Sequence, residues 1–371
     1  MMKSTPKFGV LFFMEENLIG TYFDTFAPQK KRVMKLATYS KNGQQQLALL
    51  IDGKLYDTNK LNPELPNNMK AMLNNWEINS AIARKAETDI KKGINSMTPD
   101  AEFATAALMA PVPEPTSCRD GYAFRQHVAA ARRNRKVDMI AEFDHYPIFY
   151  FTNHNAIQGP GEIVCMPDHF QKLDFELEVS VVLGKKGRNF TAAEADQYIA
   201  GYMIMNDMSA RTLQMEEMLL NLGPAKGKDF STVIGPIMVT PDELEPYKIP
   251  TKNKHVGNTY YLGMTCKVNG VIVSEGNMGD MDWTFAEIIE RCAYGVDVLP
   301  GDVIGSGTVG TGCFLELNGT GLLNDPNYKV QWLQPGDVVT MEIDGLGVLS
   351  NTIVAEKTEW SILNEKKKFI S

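Results

Sequence analysis

The stretch LDFELEVSVVLG, residues 173–184, decides how this chain folds and poses its chemical question. In a β-strand alternate side chains share a face, so Asp174, Glu176 and Glu178 line one side and Leu173, Phe175, Leu177 and Val179 the other. That much describes a half-solvated strand. The run Val179-Ser180-Val181-Val182-Leu183 is then apolar on both faces, the pattern of a buried strand. Carboxylates at the mouth of a buried strand must be neutralised, protonated or solvated, because buried like charges repel and are poorly hydrated. A divalent cation meets this need by taking hard oxygen ligands from several carboxylates at once. Taken alone, the alternation fits a solvent-facing polar stripe better, and other segments have to decide.

The chain has 371 residues, enough for one large domain or for a large and a small one. Its 44% hydrophobic and 22% charged residues are those of an ordinary globular protein. A net charge of −8 argues against nucleic acid and anionic membrane as partners, and it means that an anionic substrate needs a local positive centre. No apolar run reaches the length of a membrane-spanning helix. The opening MMKSTPKFGVLFFMEENLIG lacks a sustained apolar region with a small-residue cleavage site, so no signal peptide is expected. Cys118, Cys165, Cys266, Cys292 and Cys313 are scattered and never form a CxxC pair. They read as reduced, buried thiols of a cytoplasmic protein. The five histidines show no metal-ligand spacing.

Residues 34–60 read as a β meander, with strands at 34–39 and 46–51 and turns at Asn42-Gly43 and Asp52-Gly53. Residues 1–33 are expected to be an N-terminal extension and 66–96 a polar helical region. The Pro-rich PVPEPTS, 111–117, marks a boundary, because proline disrupts both helix and central strand. This gives a small domain at 34–110 and a larger one at 111–371. Strands are expected at 148–152, 175–183, 201–206, 232–239, 259–268, 313–317 and 337–343, and helices at 121–134, 208–221 and 283–293. The helix at 208–221 takes Asp207 as its N-cap and stops at Gly223-Pro224. Strands and helices do not alternate regularly, so the class is α+β rather than a doubly wound sheet.

Several single residues draw attention, each with an ordinary structural explanation beside the chemical one. Asp207 ends an apolar strand and could simply cap a helix. Asp120 lies seven residues before His127, in SCRDGYAFRQH; a lone histidine is more often packed or exposed than catalytic. Lys228, after a Gly-rich turn, reads in isolation as a surface lysine. Gly305-Ser-Gly-Thr-Val-Gly310 matches GxGxxG, but that dinucleotide fingerprint requires a following helix. Residues 313–317 read as a strand, so a loop whose amides approach a small anionic ligand is the expectation instead.

Together, in order, DGYAFRQH (120–127), LDFELE (173–178), NDMSARTLQ (206–214), GKDFSTVIGP (227–236) and LPGDVIGSGT (299–308) resemble the fumarylacetoacetate hydrolase family. The resemblance covers the chain from about residue 34. It implies a small N-terminal SH3-like β domain and a larger mixed β-sandwich roll or barrel, in a homodimer. It also implies one divalent cation, Mg²⁺ first with Ca²⁺ or Mn²⁺ open, held by Asp120, Glu176, Glu178 and Asp207. Asp174 falls outside that ligand set and is expected at the strand entrance. His127 matches the catalytic histidine, Glu316 the carboxylate that orients it, and Lys228 the lysine beside metal and substrate. Tyr122, Tyr150, Arg211, Gln214 and Thr308 match substrate-contacting positions.

The implied chemistry suits these residue types. Splitting a C–C bond beside a carbonyl leaves a carbanion that must be held as an enolate, which a Lewis acid and nearby cations stabilise. A histidine held by a carboxylate can take a proton from water. The expected reaction is hydrolysis of a small anionic β-diketo acid, fumarylacetoacetate yielding fumarate and acetoacetate. Decarboxylation or isomerisation of a 2-oxo dicarboxylate, and acylpyruvate hydrolysis, share the scaffold. The segment FYFTNHNA, 149–156, lacks the KP pair of acylpyruvase-like members. Thr212 stands where many relatives carry Asp, and GTVGTG departs from the form in animal enzymes.

Overall fold

The computed structural model describes residues 34–94 and 97–365. The expected extension at 1–33 lies outside the described residues. Nine strands and six helices position the chemistry. The strands are β1 (Lys35–Lys41), β2 (Gln44–Ile51), β3 (Lys54–Asp57), β4 (Ser117–Gly121), β5 (Phe149–Thr152), β6 (Leu177–Leu183), β7 (Ile199–Asp207), β8 (Thr232–Val239) and β9 (Asp302–Gly305). The helices are α1 (Met69–Asn74), α2 (Trp76–Lys91), α3 (Arg125–Asn134), α4 (Arg211–Met218), α5 (Phe285–Ala293) and α6 (Phe314–Asn324).

These strands belong to a twelve-stranded mixed sheet in the order β3-β2-β1-β8-β7-β6-β9-β4-β5, with short strands at its margins. β1 pairs with β8, Lys35 opposite Val239 and Leu36 opposite Met238, so the sheet runs from the N-terminal meander into the later strands. A second sheet of five strands orders Val271–Asn277, Gly263–Val268, Val338–Ile343, Gly347–Ala355 and Gly161–Cys165. Neither sheet closes into a barrel among the described residues, and the class is α+β, as the irregular order of elements indicates. No helix among the described residues is long and apolar enough to cross a membrane.

β6 is buried at every position, which is why its sequence is apolar on both faces. Leu177, Val179, Val181 and Leu183 enter one core with Phe175, Tyr202 and Ile204. Val182 points to the opposite core, shared with Met203 and Met205 of β7, Cys118 of β4 and Val303 of β9. Alternation then places Glu178, Asp207 and Asp120 on that second face, at the strand ends where the apolar packing stops. The sheet register brings them level: Asp120 lies opposite Gly305, Gly305 opposite Ser180, and Glu178 opposite Met205.

Several expected elements differ. The segment 313–317, expected as a strand, is the start of α6, so a strand, the Gly-rich loop and a helix do follow one another here. The dinucleotide reading still fails, because β9 runs antiparallel to β6 and its parallel neighbour β4 is not joined to it by a βαβ crossover. α6 carries Gly319 and Gly321, poor helix formers, because neighbours occupy the missing side-chain space. A Cβ on Gly319 would meet Asn134 Nδ2 at 2.4 Å, and one on Gly321 would meet the Tyr328 ring at 2.6 Å. α4 starts at Arg211 with Ala210 at the cap position; Asp207 still belongs to β7 and does not cap it. The expected strand at 175–183 is interrupted at Phe175 and Glu176, between a short strand at Leu173–Asp174 and β6.

Candidate active site

Asp120, Glu176, Glu178 and Asp207 converge, each offering a carboxylate oxygen within 4.8 Å of the others, and all four are buried. Space for this comes from Gly305 between the strands: a Cβ there would meet Asp120 Oδ1 at 2.3 Å and Met205 Sδ at 2.8 Å. The partners available to these oxygens are few. Lys228 donates to Glu176 Oε2 and, at 2.7 Å, to Asp207 Oδ2. Arg211 donates to Glu176 Oε1 at 2.8 Å, and the Tyr150 hydroxyl donates to Asp207 Oδ2. The Gly307 amide donates to Asp120 Oδ1 at 3.1 Å and the Thr308 hydroxyl to Glu178 Oε1 at 3.2 Å. Glu178 Oε2 and Asp207 Oδ1 are buried with no partner among the described residues.

Counting Asp174, five buried carboxylates face two cations, Lys228 and Arg211. Burial, with the nearby charge of Asp207, pushes the Asp120 carboxyl up to about 7. Burial and the charges of Asp120, Glu176 and Asp207 push Glu178 well above the carboxylate range. Burial also raises Glu176, but Lys228 and Arg211 outweigh it and carry the group down to about 2. Burial lowers Lys228, yet Asp207 and Glu176 more than compensate and its affinity for the proton rises. Two carboxyls thus favour their neutral form, and two buried oxygens are orphaned. An oxygen-only, carboxylate-rich donor set with this deficit of positive charge fits a hard divalent cation such as Mg²⁺, Ca²⁺ or Mn²⁺.

Next to this cluster, His127 on the first turn of α3 places Nδ1 2.6 Å from Glu316 Oε2. Glu316 occupies the first turn of α6, and its Oε1 accepts the Thr311 amide at 3.0 Å. Asn134, at the far end of α3, donates to the Glu316 carbonyl at 3.1 Å, tying the two helices together. The bond to Glu316 fixes the proton on Nδ1 of the neutral ring and leaves Nε2 as the basic atom. A ring nitrogen of His127, a Glu176 oxygen and Cys313 Sγ lie mutually within 4.8 Å. The His127 ring therefore lies against the carboxylate cluster.

Of the other expected residues, Tyr122 sets its ring edge-on to His127, with centroids 5.9 Å apart. Tyr150 and Thr308 touch the cluster through Asp207 and Glu178. Gln214 Oε1 accepts from Arg211 Nη1 at 3.0 Å. Arg211 is itself buried, and its nitrogens are bonded to Asp174, Glu176 and Gln214. Amides in and next to the Gly-rich loop serve the protein's own acceptors: Gly307 meets Asp120, Thr311 meets Glu316, and Ser306 and Val309 meet the Val179 and Leu177 carbonyls. Gly307 has φ +79°, and a Cβ on it would meet the Gly121 carbonyl at 2.7 Å, so this turn needs glycine.

Asp174 ends the short strand just ahead of β6, and it is fully buried there. Asn206 was not singled out from sequence, yet its Oδ1 accepts the Glu176 amide at 3.0 Å and so fixes the backbone of one carboxylate. Strand alternation set it on the face opposite Asp207, which hid it. Cys313 was also passed over, because its segment read as a strand rather than a helix start.

Comparison with known proteins identifies the family. The sequence profile of the family described as "Fumarylacetoacetate (FAA) hydrolase C-terminal" matches residues 116–354. Oxaloacetate tautomerase FAHD2A, mitochondrial, from Homo sapiens is 30% identical over 310 residues, covering 81% of this chain and 84% of that protein. The fumarylacetoacetate hydrolase domain-containing protein 2 homolog of Dictyostelium discoideum is 28% identical over 330 residues, covering 86% and 97%. Among solved structures, fumarylacetoacetate hydrolase from Exiguobacterium antarcticum superposes with TM-score 0.61 at 22% identity, covering 87% of this chain and all of that one. 5-carboxymethyl-2-hydroxymuconate delta-isomerase from Mycobacterium smegmatis does so with TM-score 0.57 at 20% identity and the same coverage. These two show a shared fold. The chain belongs to the fumarylacetoacetate hydrolase family.

Two outcomes follow from the cluster. Gly305→Ala is expected to displace Asp120 and weaken Mg²⁺ binding by about tenfold, the scale for disturbing the surroundings of a metal ligand; unchanged affinity by calorimetry would refute the packing account. The second concerns pH. Asp120 and Glu178 hold protons in the folded, cation-free state that the unfolded chain releases near about pH 4. Cation-free stability therefore falls as pH rises from about 4 towards 7 and beyond. Glu176 works in a separate window below its ordinary value, and Lys228 stays charged throughout. The Tm gained on adding Mg²⁺ to chelator-treated protein should be larger at about pH 8 than at about pH 5, because the cation replaces those protons. An equal gain at both would contradict it.

Proposed function

We propose that this protein hydrolyses a C–C bond beside a carbonyl in a small anionic β-diketo acid of the fumarylacetoacetate type, releasing fumarate and acetoacetate. The observation that carries this reading is the buried His127–Glu316 pair set against the four carboxylates and Lys228. Asp120, Glu176, Glu178 and Asp207 would hold the divalent cation, Mg²⁺ first. Bound there, it supplies Lewis-acid polarisation of the substrate's carbonyl oxygens.

The chain's own groups account for the proton and charge movements. His127 takes a proton from water at Nε2 while the water oxygen bonds to the carbonyl carbon. Glu316 holds the ring through Nδ1–H and stabilises the imidazolium that results. When the C–C bond breaks, its electron pair passes to the leaving carbon and spreads onto the neighbouring carbonyl as an enolate. The Lys228 ammonium lies where that negative charge develops and offsets it in a site of low dielectric. The imidazolium then returns its proton to the leaving carbon, completing two acids. Tyr122, Tyr150, Gln214 and Thr308 surround this space as candidate substrate contacts. Arg211 would act through Glu176, whose charge it shares. The free buried cysteines suit a reducing compartment such as the cytoplasm.

A second reading has its own support: several relatives are named oxaloacetate tautomerases. Moving one proton between carbon and oxygen of a 2-oxo dicarboxylate needs the same base and the same enolate stabilisation, without attack by water. Product analysis separates the two. With Mg²⁺, the hydrolase consumes the ultraviolet absorbance of fumarylacetoacetate and releases two acids. A tautomerase leaves it intact and accelerates only the keto–enol exchange of oxaloacetate.

His127→Gln is expected to lower kcat for hydrolysis by roughly a hundredfold or more while retaining Mg²⁺. Glu178→Gln should lose both activity and cation. Parental turnover in the His127 variant would remove it as the base.

A further inference from the structure

The structure assigns to Asp174 the task of a positioning residue that holds the base and the cation ligands in register through two separate arms. This rests on the reading of His127 as base and Glu176 as ligand, and goes beyond it. Asp174 touches neither site directly. Its Oδ1 accepts the amides of Phe175 at 3.0 Å and Phe314 at 2.7 Å. Its Oδ2 accepts the Leu315 amide at 2.9 Å and Arg211 Nε at 2.8 Å, and Arg211 Nη2 lies 2.8 Å away as well.

The first arm runs through α6. A helix leaves its first amides without intrahelical partners, and a Ser, Thr, Asp or Asn at the N-cap usually supplies one. Here the N-cap is Cys313, whose side chain makes no cap bond. Asp174, 140 residues earlier in the chain, accepts the first two helical amides in its place. The next residue is Glu316, whose carboxylate holds His127 Nδ1. The cap therefore sets where the first turn of α6 begins, and with it the seat of the carboxylate that selects the imidazole tautomer. An aspartate also adds negative charge at the helix end that favours it.

The second arm runs through Arg211. One guanidinium serves both Asp174 and Glu176, each at 2.8 Å. Asp174 thereby anchors the guanidinium that fixes the position of Glu176 Oε1. Without that anchor Arg211 is free to shift, and the Glu176 carboxylate it holds shifts with it.

The test measures each arm without substrate, so it fails or succeeds independently of which reaction the enzyme performs. ¹⁵N-histidine spectra at a pH where imidazole is neutral report the His127 tautomer, assigned by its loss in His127→Asn. Calorimetry reports Mg²⁺ affinity. The parent protein should show a pure Nδ1–H tautomer. Asp174→Asn should show a mixture of tautomers and bind Mg²⁺ about tenfold or more weakly. Adding Cys313→Ser to Asp174→Asn supplies a local cap; the tautomer should recover while Mg²⁺ affinity stays low. Arg211→Lys keeps the cap and covers the case in which Asp174→Asn does not fold: it should weaken Mg²⁺ but leave the tautomer pure. A parental tautomer and Mg²⁺ affinity within twofold in Asp174→Asn, even with a lowered Tm, would overturn the assignment. So would loss of the pure tautomer in Arg211→Lys.

Discussion

Like-charge repulsion among carboxylates in a dry strand end is the constraint around which the rest of the structure is arranged. Asp120, Glu178 and Asp207 reach one face of the sheet because alternation along β4, β6 and β7 puts them there, level with one another by register. A cluster of this kind is costly in a low dielectric unless charge is removed or supplied. The protein supplies only part of it. Lys228 and Arg211 quench Glu176 thoroughly, leaving Glu178 and Asp207 with orphaned oxygens. The imbalance favours a cation, and it is concentrated on two oxygens without a partner, Glu178 Oε2 and Asp207 Oδ1.

The elements legible in the sequence were those whose local pattern and tertiary role coincide. β8 has the bounds expected, and β6, β7 and α5 lie within two residues or so of theirs, since their apolar runs announce them. The four carboxylates were found, but only the resemblance separated them from Asp174, because strand alternation groups all the acids of LDFELE together. What alternation cannot show is the break at Phe175–Glu176 that turns Asp174 inward to α6 while Glu176 stays in the cluster.

α6 was illegible for a different reason. Phe314-Leu-Glu-Leu317 alternates as a strand would, and Gly319 and Gly321 weaken any helical signal. Helix formation there is enforced from outside: Asp174 satisfies its first amides, and the two glycines admit Asn134 and Tyr328. A segment whose conformation depends on distant partners cannot be read from its own residues. The segment that defeated local reading is also the one that carries Glu316.

This division has a chemical counterpart. Three of the four carboxylates, Asp120, Glu178 and Asp207, stand on strands, whose pairing register fixes their positions. The His127–Glu316 pair sits on two helices, joined by Asn134 and by the close packing at Gly319. In the proposed chemistry a strand-borne cation would stabilise the same enolate in hydrolysis, isomerisation or tautomerisation, and the helix-borne pair would deliver the proton or the water. Asp174, each of whose oxygens accepts an α6 amide while Oδ2 also meets the arginine that grips Glu176, lies where the two halves meet.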